Sequence, residues 1–231
     1  MQRNGVRKGW GGAGIGFGLL AGLFLLAATG CIRMNSPDVV RRSYVLEVTR
    51  SGPVSPPATG LVLKVRTFQA SARCPGKEFV YRKSDVLFDS DYYHGFLVMP
   101  GALIAGVVRD WLDASRGVGR VVDVSSRVPA THVLEGTVIR LEGDYRDPQK
   151  PQAVLALDLV LLSDRPTVPR VVWQKRYERT EGIAGASPAA LVEGWNRALA
   201  GVLRDMESDV SAVNLAEGGR DASNGSGATC P

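Results

Sequence analysis

The stretch Gln152-Ala-Val-Leu-Ala-Leu-Asp-Leu-Val-Leu-Leu-Ser163 decides the fold, because it is apolar on both faces apart from one aspartate. A strand that is apolar on both faces lies inside a sheet, with other strands beside it. Turn-forming residues bound it at 146–151 and at 165–170. The sequence therefore predicts a central strand, flanked by strands over residues 131–145 and 171–179.

Two amphipathic helices are predicted to cover this sheet. The first begins near Pro100 and ends before Gly117, and its apolar residues recur in two neighbouring i, i+4 series. These residues are Leu103, Val107 and Trp111 in one series and Ile104, Val108 and Leu112 in the other. The second helix begins after Ser187, which has the character of an N-cap, has Pro188 at its first position and runs to about Val213.

Shorter strands are predicted in the remainder of the chain. They cover residues 43–48, 61–68, 78–82, 85–88 and 120–124, with an aromatic loop leading into the first helix. The order is then four strands, a helix, four strands and a second helix. Two helices cannot cover both faces of a wide sheet. We therefore expect an α+β fold with a mixed, mainly antiparallel sheet and both helices packed on one face.

Composition and charge narrow the class of protein. The chain has 231 residues, of which 45% are hydrophobic and 22% are charged, and this excludes a disordered or collagen-like chain. The net charge of +5 is concentrated at the N-terminus, where residues 1–30 carry three basic residues and no acid. The remainder has 25 Lys and Arg against 23 Asp and Glu, or +2, which gives no support for nucleic-acid binding.

The first thirty residues have the layout of a secretory signal peptide. Arg3, Arg7 and Lys8 precede an uncharged segment that runs through residue 32. Its end, Ala28-Thr-Gly-Cys31, resembles the lipobox of bacterial lipoproteins, which implies cleavage before Cys31 and acylation of that cysteine. An uncleaved signal-anchor helix is the alternative, because 24 uncharged residues are long enough to span a bilayer.

Cleavage at that point would leave a mature chain of three parts. Residues 31–42 form a lipidated tether, residues 43–213 the folded domain, and residues 214–231 a tail too polar to fold. In lipoproteins of Gram-negative bacteria, an aspartate after the acylated cysteine retains the protein in the inner membrane. Ile32 occupies that place here, so the class rule implies the periplasmic face of the outer membrane.

The domain resembles the ABC-type transport auxiliary lipoprotein family over about residues 43–213. The resemblance rests on the opening strand at Ser43, on Val80-Tyr-Arg82, and on the aromatic segment Tyr92–Phe96 that leads to Pro100. The family often has Arg-Trp where this chain has Gly95-Phe96. The resemblance implies a non-enzymatic lipoprotein that works beside an ABC transporter of the mammalian-cell-entry (MCE) type in intermembrane lipid transport. It implies no cofactor, an MCE-family protein as partner, and a possible ring of copies.

Few residues of the sequence are candidates for catalysis or metal binding. His132 lacks a nearby carboxylate in sequence, His94 lies in an aromatic loop, and a metal site would need further ligands from distant carboxylates. Ser187 is better explained as a helix cap than as a nucleophile. We therefore expect no catalytic site and no metal site, although a hydrolase remains an alternative because a triad can assemble from distant residues. Cys74 and Cys230 could pair, remain unpaired on the surface, or pair between chains.

The aromatic residues Tyr92, Tyr93 and Phe96 are the candidate partner contacts. They either pack under the first helix or form exposed anchors, since tyrosine and tryptophan dominate interface hot spots. The charges between Arg140 and Arg146 are expected to form a solvated strand face. A different adaptor role, in cell-wall synthesis or for a secretion channel, is the alternative function, because a fold does not fix a function.

Overall fold

The computed structural model describes residues 40–55, 61–164 and 168–213. Within these ranges, five strands, a helix, four strands and a second helix follow one another. The strands are β1 (Arg42–Tyr44), β2 (Val62–Val65), β3 (Gln69–Ala70), β4 (Glu78–Arg82), β5 (Phe88–Phe96), β6 (Arg120–Val122), β7 (His132–Asp144), β8 (Gln152–Ser163) and β9 (Arg170–Gly182). The helices are α1 (Pro100–Ser115) and α2 (Pro188–Ala212).

The described strands form one sheet that is organised around β7. On one side of β7, β8 pairs with it antiparallel along its whole length, and β9 pairs antiparallel with β8. On the other side, β2, β3 and β4 pair with β7 in parallel, one after another. Beyond them, β5 is antiparallel to β4, while β1 and β6 run parallel to β5 and β2. The longest pairings are antiparallel, so the predicted α+β fold with a mixed sheet is confirmed.

Strand β8 is the central strand that its sequence predicts. Leu155, Leu157 and Leu159 are completely buried, and Val154 and Ala156 on the opposite face are buried as well. Complete burial of a leucine side chain contributes about 1.5–3 kcal/mol. This strand therefore supplies a large share of the hydrophobic stabilisation.

The two helices begin where proline and serine predict. Pro100 and Pro188 occupy the first turn of α1 and α2, where a missing N–H costs nothing. Ser187 Oγ accepts a hydrogen bond of 3.2 Å from the N–H of Ala190, as an N-cap does. Arg116 ends α1 in the left-handed conformation, with φ at 57°.

Both helices pack on the same face of the sheet. Ile104 and Val108 of α1 and Trp195 and Leu199 of α2 have no exposed surface, and they belong to one core together with Leu155 of the central strand. The predicted apolar stripes are thus the buried faces of the helices. The opposite face of the sheet carries paired charges instead.

A polar contact joins the two helices to the segment that follows β1. Glu207 of α2 accepts a hydrogen bond of 2.7 Å from Trp111 Nε1 of α1. The same carboxylate accepts hydrogen bonds from Arg50, at 2.7 Å from Nη2 and 3.0 Å from Nε. These bonds from Arg50 hold the pKa of Glu207 below its usual range.

The early strands differ most from the prediction. Residues 85–87 belong to a turn, in which the N–H of Lys83 donates to the carbonyl of Leu87 at 2.9 Å, and not to a strand. The aromatic segment 92–96, predicted as a loop, is the second half of β5. Its pairing with β4 shifts register between Glu78 and Val80, and such a bulge disrupts the alternation that predicts a strand. Strand β1 is also shorter than predicted, and the two-residue β3 was not predicted.

Several predicted segments lie outside the described residues. These are the signal peptide 1–30, Cys31, the tether up to residue 39 and the polar tail 214–231. Of the predicted tether, residues 40 and 41 precede the sheet, and Arg42 already belongs to β1. Neither of the two described helices is both long and apolar enough to cross a membrane.

Candidate docking surface

The chain enters the domain along one edge of the sheet, where β1 lies beside β5. The two strands are parallel, with Arg42 opposite His94 and Tyr44 opposite Phe96. Just before β1, Arg41 Nε donates a hydrogen bond of 2.9 Å to the carbonyl oxygen of Tyr92. Residues 41 and 42, the last two of the predicted tether, therefore lie against the aromatic segment.

The structure separates the three aromatic residues that the sequence groups together. Tyr92 and Tyr93 are exposed, by 59% and 53%, and their rings meet edge to face with centroids 5.4 Å apart. Phe96 is only 3% exposed, and its ring lies 4.8 Å from that of Phe79 and 5.3 Å from that of Trp195. Phe96 is therefore a core residue, which corrects its proposed role as an exposed contact, and the two tyrosines form the candidate surface.

Asp91 fixes the backbone that presents the two tyrosines. Its Oδ1 accepts hydrogen bonds from the N–H groups of Tyr93 and His94, at 2.8 and 3.1 Å. Its Oδ2 accepts one of 2.7 Å from the hydroxyl of Tyr81 and lies 2.9 Å from His94 Nδ1. One carboxylate thus serves four groups, which holds this part of β5 in a single conformation.

The electrostatics of this carboxylate follow from the same contacts. Desolvation by burial opposes the ionisation of Asp91, but the hydrogen bonds from Tyr81, Tyr93 and His94 outweigh it and lower the pKa of Asp91. Desolvation and the adjacent carboxylate raise the pKa of Tyr81, so its hydroxyl remains a donor. Sequence reasoning missed this group, although an aspartate that accepts from the second and third following N–H groups is a known local pattern.

Basic side chains border the tyrosines. The guanidinium of Arg41 lies 4.5 Å from the ring centre of Tyr92, which is a cation–π contact. Lys77 Nζ donates a hydrogen bond of 3.1 Å to the carbonyl of Leu97. Arg42 also lines the shallow cavity of about 200 Å³ between these residues. Arg41 also pairs with Glu78 at 3.5 Å, so the surface combines aromatic rings with partly compensated positive charge.

Gly95 is required by the close approach of β4 to β5. A Cβ atom at this position would lie 2.7 Å from the carbonyl oxygen of Lys77, closer than real Cβ contacts. The same carbonyl accepts a hydrogen bond of 2.7 Å from the N–H of Phe96. This geometry accounts for glycine at the place where the resembled family often has arginine.

The two histidines lie in different settings. His94 is part of the Asp91 cluster, whereas His132 is buried at the start of β7, with Nδ1 3.0 Å from Thr131 Oγ1. Over residues 40–55, 61–164 and 168–213, no three side chains among His, Cys, Asp and Glu come together as a metal site would require. The hydroxyl of Ser187 caps α2.

Cys74 is not a surface thiol. It is buried in the hydrophobic core, and burial raises the pKa of its thiol group. This corrects the alternative in which it remains unpaired on the surface. Its predicted pairing candidate, Cys230, lies outside the described residues.

The predicted solvated strand face is in part a buried ionic network. Glu142 is 1% exposed and accepts a hydrogen bond of 2.8 Å from Arg140, which also binds Glu178 of β9 at 2.5 Å. Asp144 is likewise buried, and hydrogen bonds from Arg146 lower its pKa. The prediction of a solvated face is therefore wrong for these two carboxylates, which are buried and paired with arginine side chains.

Comparisons with known proteins place the fold. A crystal structure of a Xanthomonas campestris protein of the DUF330 family has a TM-score of 0.64 at 17% identity, covering 74% of this chain and 95% of that chain. The structure of an uncharacterized protein has a TM-score of 0.59 at 13% identity, covering 74% and 99%. A hypothetical protein from Chlamydia trachomatis has a TM-score of 0.47 at 9% identity, covering 66% and 96%. The first two likenesses show a shared fold.

Comparisons at the level of sequence give no match. No family model matches the chain, and a search of curated proteins finds no match either.

Proposed function

We propose that this chain is a non-catalytic, lipid-anchored outer-membrane protein that serves as an accessory component of an MCE-type ABC transporter for intermembrane lipid transport. One observation carries the proposal. The chain enters its folded domain beside two exposed tyrosines, Tyr92 and Tyr93, only nine residues after Cys31. Only a short stretch of chain would then separate the anchor from the docking surface.

The anchor would be the acylated Cys31. The basic, apolar and small-residue layout of residues 1–30 supports secretion and cleavage at that point. Two acyl chains hold a protein at a bilayer where one binds only marginally, because each buried CH₂ group contributes about 0.8 kcal/mol. Ile32 supports the outer membrane as the destination, by the class rule given above.

The docking surface would be the edge formed by β1 and β5. Tyr92 and Tyr93 are large and exposed, and Asp91 holds the backbone at Tyr93 and His94, which reduces the conformational entropy lost on binding. Rigid aromatic anchors are typical of interface hot spots. Resemblance to the ABC-type transport auxiliary lipoproteins supports an MCE-family protein as the partner, with a ring of copies as a possible assembly.

Cross-linking in living cells tests this assignment. Tyr93 is replaced by the photoreactive p-benzoylphenylalanine, and the same residue is placed at Val171 as a matched control on the far edge of the sheet. We expect illumination to join position 93, and not position 171, to an MCE-family protein. Adducts with cell-wall synthases or a secretion channel, and none with an MCE protein, would favour the other adaptor role.

A substrate screen tests the non-catalytic part of the proposal. The purified protein is assayed against esterase and phosphatase substrates, with a Ser187→Ala variant as a control for trace activity. We expect no turnover by either protein. Enzymatic turnover that elutes together with the folded wild-type protein would contradict the proposal.

A further inference from the structure

The turn between β4 and β5 carries an exposed apolar tip. Val86 is 90% exposed, and the next residue, Leu87, is exposed by more than half. Exposed apolar side chains scattered singly are ordinary, but two in a row at the end of a hairpin form a projecting contact. We refer to Val86 and Leu87 as the hairpin tip.

The turn is built so that the tip stays outside the domain. Ser84 Oγ accepts hydrogen bonds from the N–H groups of Val86 and Leu87, at 3.3 and 3.1 Å. The N–H of Lys83 donates to the carbonyl of Leu87 at 2.9 Å, which closes the turn. The ammonium group of Lys83 lies 4.8 Å from the ring centre of Tyr145, behind the tip. These contacts hold the two apolar side chains in an outward position.

Charge near the tip is largely compensated. Asp85 is exposed, but it pairs with Arg82 at 3.1 Å and with Arg146 at 2.8 Å. Ionic pairing lowers the cost of bringing a carboxylate close to a lipid surface. Lys83 adds a positive charge, which an anionic lipid surface attracts.

The described residues that lead into β1 come from the end of the sheet that carries the hairpin tip. Because β1 is parallel to β5, the chain reaches β1 from the end at which β5 begins, which is the end of the hairpin tip. Arg42 lies opposite His94, so Arg41 is level with Tyr93, five residues beyond Phe88, which corresponds to about 16 Å along the strand. The chain from Cys31 to Val40 covers nine Cα-to-Cα steps, which span up to about 30 Å when extended. An anchored Cys31 therefore leaves the tip within reach of the same bilayer.

We propose that the hairpin tip inserts into the interface of the bilayer that holds the acylated Cys31, as a second and non-covalent membrane contact. This inference rests on the acylation in the proposed function. Valine and leucine would enter the boundary between head groups and acyl chains, with Lys83 at the level of the phosphates. Such a contact would fix the orientation of the domain on the bilayer. It would also prevent the β1–β5 edge from rotating freely about the tether.

The test places a fluorescent probe on the tip of the lipidated full-length protein. Val86→Cys is labelled with an environment-sensitive nitrobenzoxadiazole probe in a Cys230→Ser background, since Cys74 is buried and Cys31 carries lipid. Val171→Cys is the matched control, because this exposed valine lies at the opposite end of the sheet. Both proteins are reconstituted into vesicles of phosphatidylethanolamine and phosphatidylglycerol that contain spin-labelled lipid.

We expect the probe at position 86 to shift to shorter wavelength and to be quenched several-fold more than the probe at position 171. Equal quenching at both positions, in protein whose acylation is verified by mass spectrometry, would overturn this inference and leave the proposed function intact. A blue shift at position 86 without quenching would indicate coverage by a second copy, and this too would overturn it. A Cys31 without acyl groups would overturn both proposals.

Discussion

The β7–β9 half of the sheet and the β1–β5 half share one core, yet different forces determine their structure. In β8, Leu155, Leu157 and Leu159 are completely buried, so apolar burial accounts for the register of the long strands. In β5, the exposed Tyr92 and Tyr93 gain little from burial, and the hydrogen bonds of Asp91 determine the backbone instead.

The difference between the halves has a physical consequence for the surface of the domain. Apolar burial removes side chains from the surface. A segment whose structure is determined only by apolar burial therefore exposes few side chains that a partner could bind. A partly buried carboxylate that accepts several hydrogen bonds can hold the backbone that carries exposed rings without burying those rings. The long strands therefore provide stability, and the short strands provide a rigid exposed surface. Substitutions in each half should separate the two contributions.

The largest effect is expected at Trp195, where the two halves meet. Its ring packs on Phe79 and Phe96, and its Nε1 donates a hydrogen bond of 3.3 Å to the carbonyl of Glu142. We expect Trp195→Ala to lower the free energy of unfolding by about 3–5 kcal/mol, measured by urea denaturation. Trp173→Ala, at a partly buried tryptophan of β9, is the control and should cost clearly less. An equal loss of unfolding free energy in the two variants would contradict the central position of Trp195 in the core.

A smaller loss is expected at Glu207, which links both helices to the segment after β1. Glu207→Gln leaves the largely buried guanidinium of Arg50 without its opposite charge, at a cost of about 2–3 kcal/mol. The lowered pKa of Glu207 also makes this contribution depend on pH. It is present above the unfolded value of about 4.3 and is lost as the pH falls through the lower folded value.

Urea denaturation between pH 3 and pH 7 checks both parts of that prediction. The wild type should lose more stability towards low pH than Glu207→Gln does. Glu47→Gln, at an exposed glutamate near β1, is the matched control and should follow the wild type. A Glu207→Gln curve parallel to that of the wild type would show that the ion pair contributes nothing.

A loss of about 1–2 kcal/mol is expected for Asp91→Asn, because the amide nitrogen cannot accept hydrogen bonds from Tyr81 and His94. The loss should be local, with faster amide hydrogen exchange at Tyr93 and His94 and unchanged exchange in β8. Asp89→Asn, two residues earlier on an exposed position of the same strand, is the control. Uniformly faster exchange over the whole domain would contradict the distinction between the halves.

The smallest effect on stability is expected for Tyr93→Ser. The ring is exposed, so the free energy of unfolding should change by less than about 0.5 kcal/mol. Cross-linking from a probe at Tyr92 should nevertheless fall, because the neighbouring ring that orders it is gone. A large loss of stability would mean that the tyrosines belong to the core, which would remove the basis of the docking surface.

The sequence predicts the long strands and both helices well, because their apolar periodicity is long and their caps are local. The burial of Leu155 and the cap at Ser187 both follow from nearby residues. The conformation of the second half of β5 does not follow from nearby residues, because it depends on a hydrogen bond from Tyr81 of another strand to Asp91. The burial of Glu142 is equally difficult to predict from the sequence, since the arginines that pair with it include Arg73 from a distant loop.

The candidate site was predicted in part. Tyr92 and Tyr93 are exposed, as one of the two sequence-based alternatives requires, and their role as partner contacts stays a prediction. The sequence groups Phe96 with them because the segment is predicted as a loop. In a loop, unlike in a strand, successive side chains are not expected to alternate between buried and exposed. The basic residues Arg41 and Arg42 were missed as neighbours, because only the parallel pairing of β1 with β5 brings them there.

Everything in the functional proposal depends on the N-terminus of the mature protein. Mass spectrometry of the N-terminal peptide, isolated from the native envelope fraction, tests it directly. We predict a peptide that begins at Cys31 and carries acyl groups on that residue. A peptide that begins at Met1, or a mature Cys31 without any acyl group, would contradict the account.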